Sequence, residues 1–90
     1  MLAYYKLKEM IISIGMAIAA NKVDGIRAAN VTSPEFAALS REHNDANIVT
    51  VSGRFVTDET NRAIVKAFLE TAFGGGRHEG RVAKIMALEK

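Results

Sequence analysis

Along the chain, short β-branched runs alternate with longer apolar stripes at helical spacing, and glycine, proline or a capping residue marks each change of period. Residues 8–12 (KEMII) read as a short buried strand, and residues 14–22 as a helix rich in Ala, Ile and Met. After the break at Lys22-Val23-Asp24-Gly25, residues 26–31 (IRAANV) read as a second strand. Ser33 then offers an N-cap hydroxyl and Pro34 a pre-set first helical position, which predicts a helix to about Glu42 or His43. Residues 47–52 (NIVTVS) suit a buried parallel strand. Thr57 or Asp58 opens a further helix, with Ala63, Ile64, Ala67, Phe68 and Ala72 as its apolar face and Gly74-Gly75-Gly76 as its end. A last helix over about residues 78–88 carries the stripe Val82, Ile85 and Met86. The order β-α-β-α-β-α-α predicts a short parallel sheet of about three strands, flanked by helices and joined by right-handed crossovers.

Composition narrows the field. Ninety residues, 49% hydrophobic and 7% aromatic, are expected to form a single domain over residues 1–90. Net stability at this size is only about 5 to 13 kcal/mol. The chain has no cysteine, which excludes disulfides and thiolate chemistry and fits a reducing cytoplasm. Its longest apolar stretch, near residues 10–20, is broken by Ser13 and Gly15 and is too short to span a bilayer. Lys6, Lys8 and Glu9 interrupt any signal-peptide pattern, so a cytoplasmic protein is expected. A net charge of +2 with interspersed signs leaves no basic stripe for nucleic acid.

Three stretches carry candidate chemistry. In SREHNDANIVTVSG (residues 40–53), His43 and Asn44 close a helix before a strand. An ordinary imidazole is about one quarter protonated at pH 7 and can give or take a proton there, while the same two residues serve equally well as a helix end with Asp45 in the turn. In GGRHEGRVAKI (residues 75–85), Arg77 and Arg81 stand four apart, and two guanidinium forks about 6 Å apart match phosphate oxygens. They also read as a solvated basic face, partly neutralised by Glu79. The third stretch is IGMAIAANKVDGIRAA, residues 14–29.

Together these three motifs, in this order and roughly this spacing, resemble the carboxy-terminal half of the ribose-5-phosphate isomerase type B / galactose-6-phosphate isomerase family, over about residues 14–88. The resemblance implies a three-layer, Rossmann-like partial fold with a long C-terminal helix. It further implies that His43 assists opening of the sugar ring, that Asn44 helps hold the anionic intermediate, and that Arg77 and Arg81 hold the substrate phosphate, often across a dimer interface. Proton transfer of this kind needs no cofactor, and no metal cluster is readable in the sequence.

The match fails at the glycine-rich loop. Family members read CGTGIGM, CGSGIGM or GNGEQ before IAANK, whereas this chain reads Met10-Ile11-Ile12-Ser13-Ile14-Gly15-Met16, leaving Ser13 and Gly15 as the remnant of an anion loop. An ungapped alignment puts Met10 at the cysteine and Met16 at the glutamate, and neither side chain can abstract a proton. The family's amino-terminal Asp-His pair is missing from residues 1–10. The expectation is a truncated or split isomerase, inactive alone, that pairs as a homodimer or with a complementary isomerase chain and binds a sugar phosphate weakly. The other class in play is a non-catalytic, oligomerising or phosphate-binding interaction protein.

Overall fold

The computed structural model describes residues 13–53 and 55–89. The expected strand at residues 8–12 lies outside them. The described elements, in chain order, are α1 (Ser13–Ala20), β1 (Ala28–Asn30), α2 (Pro34–Asn44), β2 (Ile48–Thr50), α3 (Asp58–Glu70) and α4 (His78–Met86). β1 and β2 pair in parallel, with Ala28, Ala29 and Asn30 opposite Ile48, Val49 and Thr50.

Both strands are shorter than the apolar runs that predicted them, because only three residues of each keep ladder geometry. Hydrogen bonding continues past the ends: the Asn47 and Ile48 N–H groups donate to the Arg27 carbonyl at one end, and Val31 N–H donates to the Thr50 carbonyl at the other.

The layers follow from strand parity. Ala29 and Val31 share a face with Val49 and Val51, and this face meets Ala37 of α2 and Ile64, Ala67 and Phe68 of α3. The opposite face, with Ala28, Ile48 and Thr50, is left to α1, which packs on both strands and buries Ala17. One β1 group is satisfied in an unusual way: the Asn21 side chain accepts from Ala28 N–H at 2.7 Å and donates to the Ala28 carbonyl at 3.0 Å. A side-chain amide there does what a neighbouring strand does elsewhere.

Local chemistry sets the helix starts. Ser33 Oγ accepts from Phe36 N–H at 3.2 Å with Pro34 in the first turn, and Thr57 Oγ1 accepts from Thr60 N–H at 3.2 Å. The inner face of α3 differs from the expected one. Asn61, Ile64 and Val65 are buried, Ala63 is exposed, and Ala72 lies beyond the helix. Asn61 is drawn inward because its amide donates to the Ser52 carbonyl at 2.6 Å, supplying a partner to the chain leaving β2. The glycines do not end α3. That helix stops at Glu70, with Thr71 extended and its hydroxyl donating to the Ala67 carbonyl at 2.7 Å. Gly75 and Gly76, at φ 66° and 56°, instead turn the chain into α4, in the left-handed region that glycine enters without steric cost. α4 ends at Met86, short of the expected residue 88, so the last helix is one of nine residues rather than a long one.

Candidate functional site

α2 runs back from the carboxyl end of β1 and ends near the start of β2. His43 and Asn44 therefore sit at the amino ends of the strands, not at the carboxyl ends where parallel sheets usually place their ligands. The turn after them is fixed by Asp45, the C-cap, at φ 48° and ψ 44°. A non-glycine residue rarely adopts this left-handed conformation, and Asp is among the few side chains that tolerate it.

Charge holds it there. Arg41 Nη1 donates to Asp45 Oδ1 at 2.9 Å and to the Ala46 carbonyl at 2.6 Å, while Arg27 donates from Nη2 to Asp45 Oδ2 at 3.3 Å and from Nε to the Asp45 carbonyl at 2.9 Å. Asn47 adds a local brace, accepting from Arg27 N–H at 2.8 Å and donating to the Gly25 carbonyl at 2.7 Å. The start of β1 and the end of α2 are thus tied through one carboxylate.

The His43 ring, half-buried, stacks on His78 with centroids 4.3 Å apart and planes 18° apart. His78 is the first residue of α4 and only 7% exposed, and its Nδ1 is buried without a hydrogen-bond partner. A close backbone approach brings the two rings together: Gly74 N–H donates to the Glu42 carbonyl at 2.9 Å, one residue before His43. Arg77, at the N-cap of α4 with helical dihedrals, and Arg81, in the next turn, are exposed. Burial holds the His78 imidazole below its ordinary proton affinity; the neighbouring His43, Arg77 and Arg81 act in the same direction, and Glu42 opposes them. The structure therefore gathers His43, His78, Arg77 and Arg81 at one end of the molecule.

Asn44 faces a different space. It lines an open cleft of about 730 Å³ together with Asn21, Lys22, Arg27, Ser40 and Glu89, a cleft that His43 does not line. Ser13 and Gly15 form the first turn of α1, whose other end meets the start of β1 through Asn21. That direction carries the loop remnant toward the carboxyl ends of the strands, away from His43. Among the described residues, neither of the two clefts that Asn44 lines includes His43, Ser13 or Gly15. Among the described residues, no three His, Asp or Glu side chains converge to hold a metal, and no helix is long and apolar enough to cross a membrane.

Sequence reasoning passed over His78, although it stands between the two arginines in the GGRHEGR run. The signal was its position at a helix start after three glycines, where a large side chain can be tucked inward.

Comparison with known proteins agrees with this architecture. The family profile described as Ribose/Galactose Isomerase matches residues 11–85. The probable ribose-5-phosphate isomerase B of Mycoplasma genitalium is 51% identical over 77 residues, covering 86% of this chain and 51% of that protein. Ribose-5-phosphate isomerase B of Escherichia coli is 46% identical over 77 residues, covering 86% of this chain and 52% of the relative. The crystal structure of the M. genitalium isomerase with bound ribulose-5-phosphate superposes with a TM-score of 0.81 at 49% identity, over 83% of this chain and 49% of the other. The chain spans about half the length of the relatives it matches. With the family profile matching residues 11–85 and the fold and motif order in agreement with it, the chain belongs to the ribose/galactose isomerase family.

Proposed function

We propose that this chain supplies the ring-opening and phosphate-holding half of an aldose–ketose sugar-phosphate isomerase site and takes its proton-abstracting base from a second chain. The observation that carries the reading is the pairing of His43 with the buried His78, beside Arg77 and Arg81, at one end of the fold. In this reading His43 exchanges a proton with the ring oxygen of the closed sugar, and the arginines hold the phosphate by charge-assisted hydrogen bonds. Asn44 borders the neighbouring cleft and is placed to meet the anionic intermediate only if the sugar reaches around the end of α2.

Ser13 and Gly15 contribute backbone at the far end of the sheet. The loop stretch at residues 10–16 carries no cysteine or carboxylate to take the C2 proton. A complementary isomerase chain sets its loop against the His43 end and brings the base; a copy of this chain pairs in the same way without one. Two guanidiniums in an open half-site give a sugar phosphate about millimolar affinity, on the order of 4 kcal/mol.

The test is a coupled assay for ribulose 5-phosphate formed from ribose 5-phosphate. The chain alone is expected at background, and Met10→Cys alone is expected to remain there. Mixed with a full-length family member whose own HNDAN histidine has been replaced by alanine, the chain restores turnover, and His43→Ala in the chain abolishes the rescue. Turnover by the unmixed chain that disappears in His43→Ala would mean that another of its own residues is the base.

A further inference from the structure

Among the described residues, His78 is the one buried titratable side chain, and the proposed chemistry assigns it no task. Its ring lies against His43 at 4.3 Å, its backbone opens α4, which Arg77 caps and Arg81 belongs to, and its Nδ1 has no fixed partner that would lock one protonation state. We propose that His78 is a positioning residue that stacks the His43 imidazole in place and couples it to the anion site: a dianion taken by Arg77 and Arg81 draws a proton from solvent onto the histidine pair. The inference rests on the phosphate-holding role proposed above for those arginines.

The groups acting on His78 come from two elements, Glu42 and His43 on α2 and Arg77 and Arg81 at the start of α4. With the guanidinium charges unscreened, burial, the neighbouring His43 and the two cations hold the proton affinity of His78 below its ordinary value, and Glu42 opposes them only in part. A dianion on the arginines removes their repulsion and adds negative charge near the ring. The proton affinity of the pair then rises. Two stacked imidazoles hold two protons only against their mutual repulsion, so the gain belongs to the pair rather than to one ring. Linkage makes the effect reciprocal: an anion that promotes proton uptake must itself bind more tightly as the pH falls. The consequence for a sugar phosphate is that the proton needed at the ring oxygen arrives with the phosphate that anchors the molecule.

Sulfate is the suitable probe, because it stays a dianion across the pH range in which histidine titrates. The ring resonances of His43 and His78 in the whole chain are followed by NMR from pH 5.5 to 8, in sulfate and in chloride at matched ionic strength. The expected result is a His78 titration that moves to higher pH in sulfate, His43 ring signals that move with it, and a sulfate affinity that falls several-fold between pH 6 and pH 8. In Arg77→Gln/Arg81→Gln, whose side chains are exposed, sulfate leaves both rings unmoved. In His78→Phe the flat ring preserves the stack but takes no proton, so sulfate still binds while the pH dependence of its affinity shrinks to what His43 alone supplies.

Sulfate binding that leaves the His78 titration in place, or a pH dependence undiminished in His78→Phe, overturns the coupling and leaves the anion site standing. No binding at about 50 mM sulfate, far above a millimolar constant, overturns both. Should His78→Phe fail to fold, the wild-type chain and the double arginine variant decide the question between them.

Discussion

Gly74→Ala separates stability from site geometry. A methyl group at this position would lie 3.1 Å from the Glu42 carbonyl oxygen, 3.1 Å from Glu42 Cγ and 3.6 Å from His78 Cδ2. The Glu42 side chain can swing aside. The carbonyl cannot, because it belongs to the last turns of α2 and accepts the Gly74 N–H at 2.9 Å. The loop must therefore retreat by a few tenths of an ångström. Stretching that hydrogen bond costs part of about 0.5–1.5 kcal/mol. Restricting the unfolded chain returns about 0.4–1 kcal/mol, since Gly74 is not in the left-handed region and alanine meets no dihedral strain there. The two nearly cancel, and urea denaturation is expected to show a change within about 1 kcal/mol at an unchanged m-value. The rings respond differently: His43 follows Glu42 directly and His78 begins the helix just past the loop, so the stack opens. The nuclear Overhauser contact between the rings weakens and sulfate affinity drops. A loss above about 2 kcal/mol would show that the contact belongs to the rigid core. An undiminished contact at wild-type stability would show that Gly74 does not set the ring spacing.

Two further outcomes follow from the same structure. Ile64→Ala empties the centre of the cluster formed with Val31, Ala37 and Val51, and at 0% exposure it is expected to cost about 2–5 kcal/mol in chemical denaturation, with a loss below about 1 kcal/mol counting against this core. His78 also gives stability a pH dependence: its folded proton affinity lies below the ordinary 6.5, so the unfolded chain binds more protons at this site as the pH drops, and the stability held by neutral His78 is complete above about pH 6.5 and lost as pH falls through that value. Urea midpoints measured at pH 7.5 and 5.5 should therefore fall further in the wild-type chain than in His78→Phe; equal declines would refute the assignment.

Where the sequence was legible, short-range chemistry governed. Ser33-Pro34 and Thr57 announced helix starts because a cap hydroxyl and the N–H that donates to it lie three residues apart. The β-branched run at residues 47–52 announced a strand, and the motif order announced the family. What could not be read were contacts made across the chain. Asn61 is a poor candidate for a core position until the Ser52 carbonyl is brought over it. The three glycines look like a helix stop, and only the approach of Gly74 to Glu42 shows that they serve a loop passing close to α2. For the same reason His43 and Arg77 could be named from the motifs, while the ring between them in space could not. Parallel sheets usually hold ligands at the carboxyl ends of their strands, whereas α2 carries His43 the full length of the layer to the amino ends.

Placing the histidine end and the loop remnant at opposite ends of one small fold has a consequence for stoichiometry. In a twofold pair of complete isomerase chains, each end of one would meet the other end of its partner, and the pair would own two sites. Replace one member with this chain and the count changes. Its histidines would face an intact loop, while its own defective loop would face the partner's histidine. On the proposed reading such a mixed pair would work at one site only, so titrating the chain into a complementing partner should level off at half the turnover per pair that two complete chains achieve.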